Sequence, residues 1–264
     1  MNIWIIAKKN IKNRSRKAMS DNQVGTYKLV ASPFHLDVRG KLSMGVLGKH
    51  LLNCADAYAA ERGFDVVEQG GEHYTWVLSR LAIELEDLPS CHESFSIQTW
   101  VENVYRLFAD RNFVICNKDE KPIGYVRSVW AMISMETRNP ANLLDLHGDR
   151  ITNSICEKEC PIAKPGRIKV SQQEAVSEYV AKYSDLDING HVNSIKYIEH
   201  ILDIFPLDTY KKKALKRFEI AYVAESYYDD TLSFYLEEKN ENEYDIEVRK
   251  SSTEVVVRSK VIFK

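Results

Sequence analysis

The chain has 264 residues, 44% of them hydrophobic and 28% charged, with a formal net charge of −2. That length and apolar content allow one large domain or two moderate ones with a sizeable core. The near-neutral balance gives no global drive towards nucleic acid or a membrane surface, and no stretch approaches the roughly 18 apolar residues of a membrane span.

In chain order, residues 1–21 come first as a basic extension. Lys8, Lys9, Lys12, Arg14, Arg16 and Lys17 stand there with no acidic residue before Asp21. Trp4-Ile5-Ile6-Ala7 is too short for a secretory apolar core, and the charges follow it rather than precede it. The extension is expected to be disordered, and Met19 serves equally well as a start.

A first half over 22–137 follows. A helix is expected over 45–61, with Leu47, Leu51, Ala55 and Tyr58 on one face and Gly63 as its stop. Strands are expected over 74–86, 93–101, 106–116 and 123–134, the last two joined by a polar hairpin at 117–122. Residues 138–177 carry Pro140, Pro161, Pro165 and Gly166 with little periodicity, which suits a linker between modules. A second half over 178–264 opens with a helix after Asn189, on which Ile195, Ile198, Leu202 and Phe205 recur at helical spacing. Strands follow over 216–224, 231–239, 243–250 and 253–263. Val126-Arg127-Ser128 and Val257-Arg258-Ser259 sit at matching places in the two final strands. Helix first, then an antiparallel meander, argues against a doubly wound parallel sheet. It implies an α+β fold in which two helix-plus-antiparallel-sheet repeats form one continuous sheet.

The five cysteines are scattered, and Cys156 and Cys160 lack the further ligands of a zinc site. Reduced thiols in a cytoplasmic protein are expected, with no metal. His35, His50, His73, His92, His147 and His200 have no ligand spacing and are read as structural or solvated. Trp76, Trp100 and Trp130 fall in strand patterns and are read as core by default, with lining of a ligand pocket as the alternative for some of them. No glycine-rich phosphate loop is present, so nucleotide chemistry has no support.

The densest polar cluster is Asp185-Leu186-Asp187-Ile188-Asn189-Gly190-His191-Val192-Asn193, immediately before the second helix. A helix start carries free N–H groups and the positive end of the macrodipole. A cap needs one polar side chain and not five. Asp187, Asn189 and His191, at i, i+2 and i+4, can converge on one small site.

This stretch, continuing into Lys196-Tyr197-Ile198, closely resembles the signature of acyl-acyl-carrier-protein thioesterases. Tyr74-Thr75-Trp76-Val77-Leu78-Ser79-Arg80, Gln98-Thr99-Trp100-Val101 and Arg127-Ser128-Val129-Trp130-Ala131-Met132 are similar to the same family, and the likeness runs from about Gly25 to the C-terminus. The resemblance implies a tandem (double) hot-dog fold and hydrolysis of fatty acyl-acyl carrier protein, with the acyl pocket in the first half and catalysis in the second. It places catalytic Asp, Asn, His and Glu at Asp187, Asn189, His191 and Glu225. Plant members carry a cysteine after that glutamate. Here the position is Ser226, and no cysteine follows His191, which removes a Cys-His-Asn mechanism using that position. Ser226 is an alternative nucleophile position, but carboxylate chemistry is favoured.

Glu225 is expected to activate water, its pKa raised by partial burial beside the acyl tunnel. Asp187 is then nucleophile or second carboxylate, with Asn189 and His191 orienting and polarising, and no cofactor is expected. Lys211, Lys212 and Lys213 form a candidate docking patch for the acidic carrier protein. Alternatives are an acyl-coenzyme A thioesterase of the same fold, a non-catalytic acyl-thioester sensor and, more weakly, a hot-dog dehydratase. A monomer or a homodimer both fit, since the tandem repeat supplies two hot dogs in one chain.

Overall fold

The computed structural model describes residues 23–264; the extension expected over 1–21 lies outside the described residues. The first half contains β1 (Gly25–Val30), α1 (Met44–Arg62), β2 (Val67–Gln69), β3 (Glu72–Leu85), β4 (Ser94–Val104), β5 (Phe108–Cys116) and β6 (Pro122–Ser134). Two short helices follow, α2 (Leu143–His147) and α3 (Asp149–Thr152). The second half contains β7 (Ser177–Val180), α4 (Ser194–Asp203), α5 (Leu207–Lys212), β8 (Leu215–Tyr222), β9 (Thr231–Asn240), β10 (Glu243–Lys250) and β11 (Glu254–Phe263).

All the pairings between strands are antiparallel, in the order β1-β4-β5-β6-β3-β8-β11-β10-β9-β7, with β2 beside β3. The order of one half is the mirror of the other about the β3–β8 seam, where Arg80 faces Ala221 and Glu84 faces Arg217. The sheet is therefore continuous across both repeats. One expectation needs correction: each repeat begins with a strand, β1 or β7, before its helix. These edge strands have six and four residues, too few for their alternation to stand out from loop sequence.

Each long helix starts at a polar cap. Ser43 Oγ accepts from Val46 N at 3.4 Å, and Asn193 Oδ1 accepts from Ile195 N at 2.9 Å. Leu47, Leu51, Ala55 and Tyr58 of α1 are buried against the sheet, as their spacing predicts. Where α1 meets α4, Gly48 allows the close approach: a Cβ there would lie 2.7 Å from Ile195 Cδ1.

The segment between the repeats is packed rather than loose. After α3 it crosses the sheet face opposite the helices, over Trp100, Val114 and Cys116. Side chains from the sheet satisfy its backbone. Trp100 Nε1 donates to Lys158 O at 2.8 Å, Arg127 donates to Cys160 O and Ile162 O at 2.8 and 2.7 Å, and Arg217 donates to Ala163 O at 2.8 Å. Gly166 N in turn donates to Glu219 Oε2 at 2.7 Å. Such partners order a run that has no periodicity of its own.

Candidate active site

The loop before α4 is held by its own polar groups. Asp185 is buried, and Tyr179 OH and Lys182 N donate to its Oδ2 at 2.7 and 2.8 Å, while His200 Nε2 stands 3.0 Å from Oδ1. Burial alone would raise this carboxyl, but the Lys182 N–H, the Tyr179 hydroxyl and His200 hold it below the ordinary range. Asp187 Oδ1 accepts from Asn189 N at 2.8 Å and His191 N at 3.1 Å, and Gly190 takes φ +80° to close the turn. Asp187 Oδ1 is thus occupied by backbone.

His191 and Glu225 meet because Val192 N donates to Ser226 O at 2.8 Å, drawing the segment after β8 onto the loop. His191 Nε2 lies 3.4 Å from Glu225 Oε2, and the Tyr227 ring packs edge-on at 5.1 Å. The Arg138 guanidinium, supplied by the start of the linker just after β6, pairs with Glu225 Oε1. Glu225 lines the cavity with its side chain 38% exposed and is ion-paired to Arg138. Burial lowers His191 below the ordinary imidazole pKa; Asp187 opposes the shift and Arg138 adds to it. The imidazole is therefore neutral at pH 7 and able to accept a proton.

Asp187, Asn189, His191 and Glu225 all line one cavity of about 560 Å³ that runs into the first half. Leu52, Ala55 and Ala59 of α1 form one wall, and Trp76, Ala109 and Trp130 of the sheet form the facing wall. Trp100 is on the other face of the sheet, under the linker. Ser194 also lines the mouth. Ile195 N is taken by the Asn193 side chain and Lys196 N by Asn193 O, whereas Ser194 N has no acceptor among the described residues. It is the free donor that a helix start offers an anion.

Two predicted positions are not brought there. Ser226 is fully buried, its hydroxyl lacks a hydrogen-bond partner among the described residues, and the cavity wall ends at Glu225. Lys211, Lys212 and Lys213 lie beyond the C-terminal end of α4, whereas the cluster sits at its N-terminal end; ten residues of helix span about 15 Å. Lys211 is paired with Asp208 and Lys213 with Glu241 O.

A second copy of the loop stands in the first half, where hydrophobic periodicity does not reveal it. Residues 31–43 repeat the hydrogen bonds of 181–193: Asp37 Oδ1 accepts from Arg39 N at 2.8 Å and Lys41 N at 3.3 Å, and Asp37 N donates to Lys41 O at 2.8 Å. Gly40 takes φ +72° where Gly190 takes +80°. The spacing Ala-x₅-Asp-x₂-Gly in both halves was the available signal. In this copy Arg39 and Lys41 replace Asn189 and His191, and salt bridges to Asp37 and Asp87 consume them. Beneath it the rings of Phe205, Tyr244 and Phe263 fill the helix–sheet space, with centroids 5.0–6.2 Å apart. Aligning Ser128 with Ser259 matches Tyr244 to Ala109, so one small residue leaves the first half open where an aromatic closes the second.

Two hot-dog repeats sharing one sheet, with one polar cluster at the mouth of one apolar cavity, define a double hot-dog protein of the thioesterase kind. Residues 26–148 match the acyl-ACP thioesterase N-terminal domain and residues 168–264 the C-terminal domain of the same family. The chain belongs to the acyl-ACP thioesterase family. An acyl-ACP thioesterase from Bacteroides thetaiotaomicron is 60% identical, with a TM-score of 0.88, covering 93% of this chain and 100% of that one. The 12:0-ACP thioesterase of Umbellularia californica shares the fold at 16% identity and a TM-score of 0.79, covering 92% and 98%. The chloroplast palmitoyl-acyl carrier protein thioesterase of Gossypium hirsutum is 25% identical over 68% of this chain and 45% of its own length. Oleoyl-acyl carrier protein thioesterase 2 of Arabidopsis thaliana is 28% identical over 65% and 49%. The chain spans about half the length of these curated relatives.

Proposed function

We propose that the protein hydrolyses the thioester of fatty acyl-acyl carrier protein, releasing the free acid and ending chain elongation. The observation that carries this reading is the Asp187–Asn189–His191–Glu225 cluster at the mouth of an apolar cavity shaped for an acyl chain. Membership of the acyl-ACP thioesterase family supports the carrier-linked substrate. Five free cysteines suit a reducing compartment such as the cytoplasm.

In the proposed mechanism the acyl chain enters the cavity and the thioester carbonyl stops at the mouth. Glu225 takes a proton from a water molecule, and the resulting hydroxide attacks the carbonyl carbon. Arg138 restrains one carboxylate oxygen and leaves the other facing His191. The carbonyl oxygen becomes an oxyanion met by Ser194 N–H and the Asn189 amide; one such donor contributes about 3 kcal/mol in comparable sites. Collapse of the tetrahedral intermediate breaks the C–S bond, and the proton held by the Glu225–His191 pair passes to the departing thiolate. Asp187 acts as the second carboxylate, shaping the turn through Oδ1. The same contacts made by Asp37 in the other half support a loop-building role over a nucleophilic one.

Replacing Glu225 with Gln should lower kcat by about 10²–10⁴-fold, the usual worth of a general base. Replacing Asp187 with Asn, which keeps an acceptor for both N–H groups, should cost much less. Full turnover by Glu225→Gln would remove that residue from the role of base. A trapped acyl-enzyme on Asp187 would replace the water mechanism with a covalent one.

A further inference from the structure

Arg111 is an anomaly within the acyl cavity. It lies on β5, is only 6% exposed, and lines the cavity beside Ala109. Arg127, Arg217 and Arg249, with side chains 9–13% exposed, each hold a glutamate at 2.6–2.7 Å. Arg111 has no carboxylate partner among the described residues. Its contacts are a 3.4 Å hydrogen bond from Nη1 to Thr99 Oγ1 and the face of the Tyr58 ring, 4.5 Å from the guanidinium carbon. A charge buried without a counter-ion is costly, and a guanidinium with spare donors needs acceptors.

The fold does not demand an arginine there. Arg111 faces Ser128 across β5 and β6, and the matching residue of the second half, opposite Ser259, is Ile246, fully buried in the apolar core. The same place in the same architecture is thus filled by an aliphatic side chain. Its distance from the reacting end is also set by the fold. β6 and β3 lie between β5 and β8, so three strand spacings, roughly 14 Å, separate Arg111 from Ile220 in its register, and Glu225 lies five residues further along the chain.

We propose that Arg111 forms an oxygen-binding subsite at the inner end of the acyl cavity, so that the protein takes acyl chains bearing a hydroxyl or carboxylate remote from the thioester. The inference rests on the proposed function for the thioester end, but it concerns binding and can be read without turnover. An oxygen at that depth supplies the acceptor that the protein omits. A plain methyl terminus leaves the guanidinium unmatched and is disfavoured there.

The test is calorimetric binding of free acids to the purified full chain. Unsubstituted fatty acids, their ω-hydroxy derivatives and the matching α,ω-dicarboxylic acids are compared from eight to sixteen carbons. An ω-oxygenated acid should bind at least about tenfold more tightly than its unsubstituted counterpart at one or more lengths, as one hydrogen bond to a charged group provides. Arg111→Ile, which copies the residue found at 246, should abolish or invert that preference, and Arg111→Lys should keep part of it. Tighter binding of the dicarboxylate than of the hydroxy acid assigns the oxygen to a carboxylate; the reverse assigns it to a hydroxyl. Equal or tighter binding of unsubstituted acids at every length overturns the proposal, as does a preference that survives in Arg111→Ile. So does a failure of both classes to bind. Selective binding without hydrolysis of any thioester would leave the subsite standing and defeat the proposed function instead.

Discussion

Histidine protonation links the residues of this site and core to pH. His191 is neutral at pH 7 because burial lowers its pKa, so the acid limb of kcat/KM should fall below pH 6.5. His147 reports on stability instead. It is buried, stacks on Trp76 with ring centroids 5.9 Å apart, and has its pKa pushed down to about 4 by burial and by Arg150. A base depressed in the folded state leaves stability intact above its unfolded value of 6.5, and that stability is lost as pH falls towards 4. The loss should be about 2 kcal/mol after allowance for screening. Urea unfolding at pH 7.5 and pH 4.5 checks it: His147→Phe should narrow the gap between the two pH values, and an unchanged gap would refute the assignment. The roles at this scale were only partly legible in the sequence. Residue types and spacing drew attention to Asp187, Asn189 and His191, but Glu225 alone looks like a strand-end carboxylate. Nothing in the sequence joins it to Arg138, 87 positions earlier.

At the scale of elements, the difference between the halves lies in a few wall residues. Ala109 leaves space beside Trp76 and Trp130, and its counterpart Tyr244 fills the equivalent space with Phe205 and Phe263. Ala109→Tyr should therefore shorten the cavity without touching the polar cluster. Turnover of long acyl chains should fall by about tenfold or more, as overpacking costs 1–3 kcal/mol, while the shortest substrates keep most of their rate. A uniform loss at all lengths would point to damage to the fold rather than to the pocket. The long strands and α1 were readable from periodicity because each presents a sustained buried face. β1 and β7 are too short for that, and the linker is ordered by side chains of the sheet that its own sequence does not reveal.

For the whole molecule, the proposed function requires a landing place for the carrier, and we assign it to the loops around the cavity mouth. They expose Tyr183 at 86% and Ile188 at 84%, with Lys182, 4.0 Å from Asp229, alongside. Apolar side chains exposed together beside a cation suit an acidic partner with an apolar rim. Lys182→Glu should raise KM for carrier-linked substrates several-fold while sparing a small thioester. Lys211→Glu, at the far end of α4, should do less; the opposite ranking would restore the patch suggested by the lysine run. The activity proposed for this cavity and cluster is turnover of carrier-linked acyl thioesters. Its most direct test is thiol release by the purified protein from acyl carrier proteins and acyl-coenzyme A esters matched in chain. kcat/KM should be at least about tenfold higher on the carrier-linked series and should fall by about 10²–10⁴-fold in Glu225→Gln. Equal or faster turnover of the coenzyme A esters would contradict it.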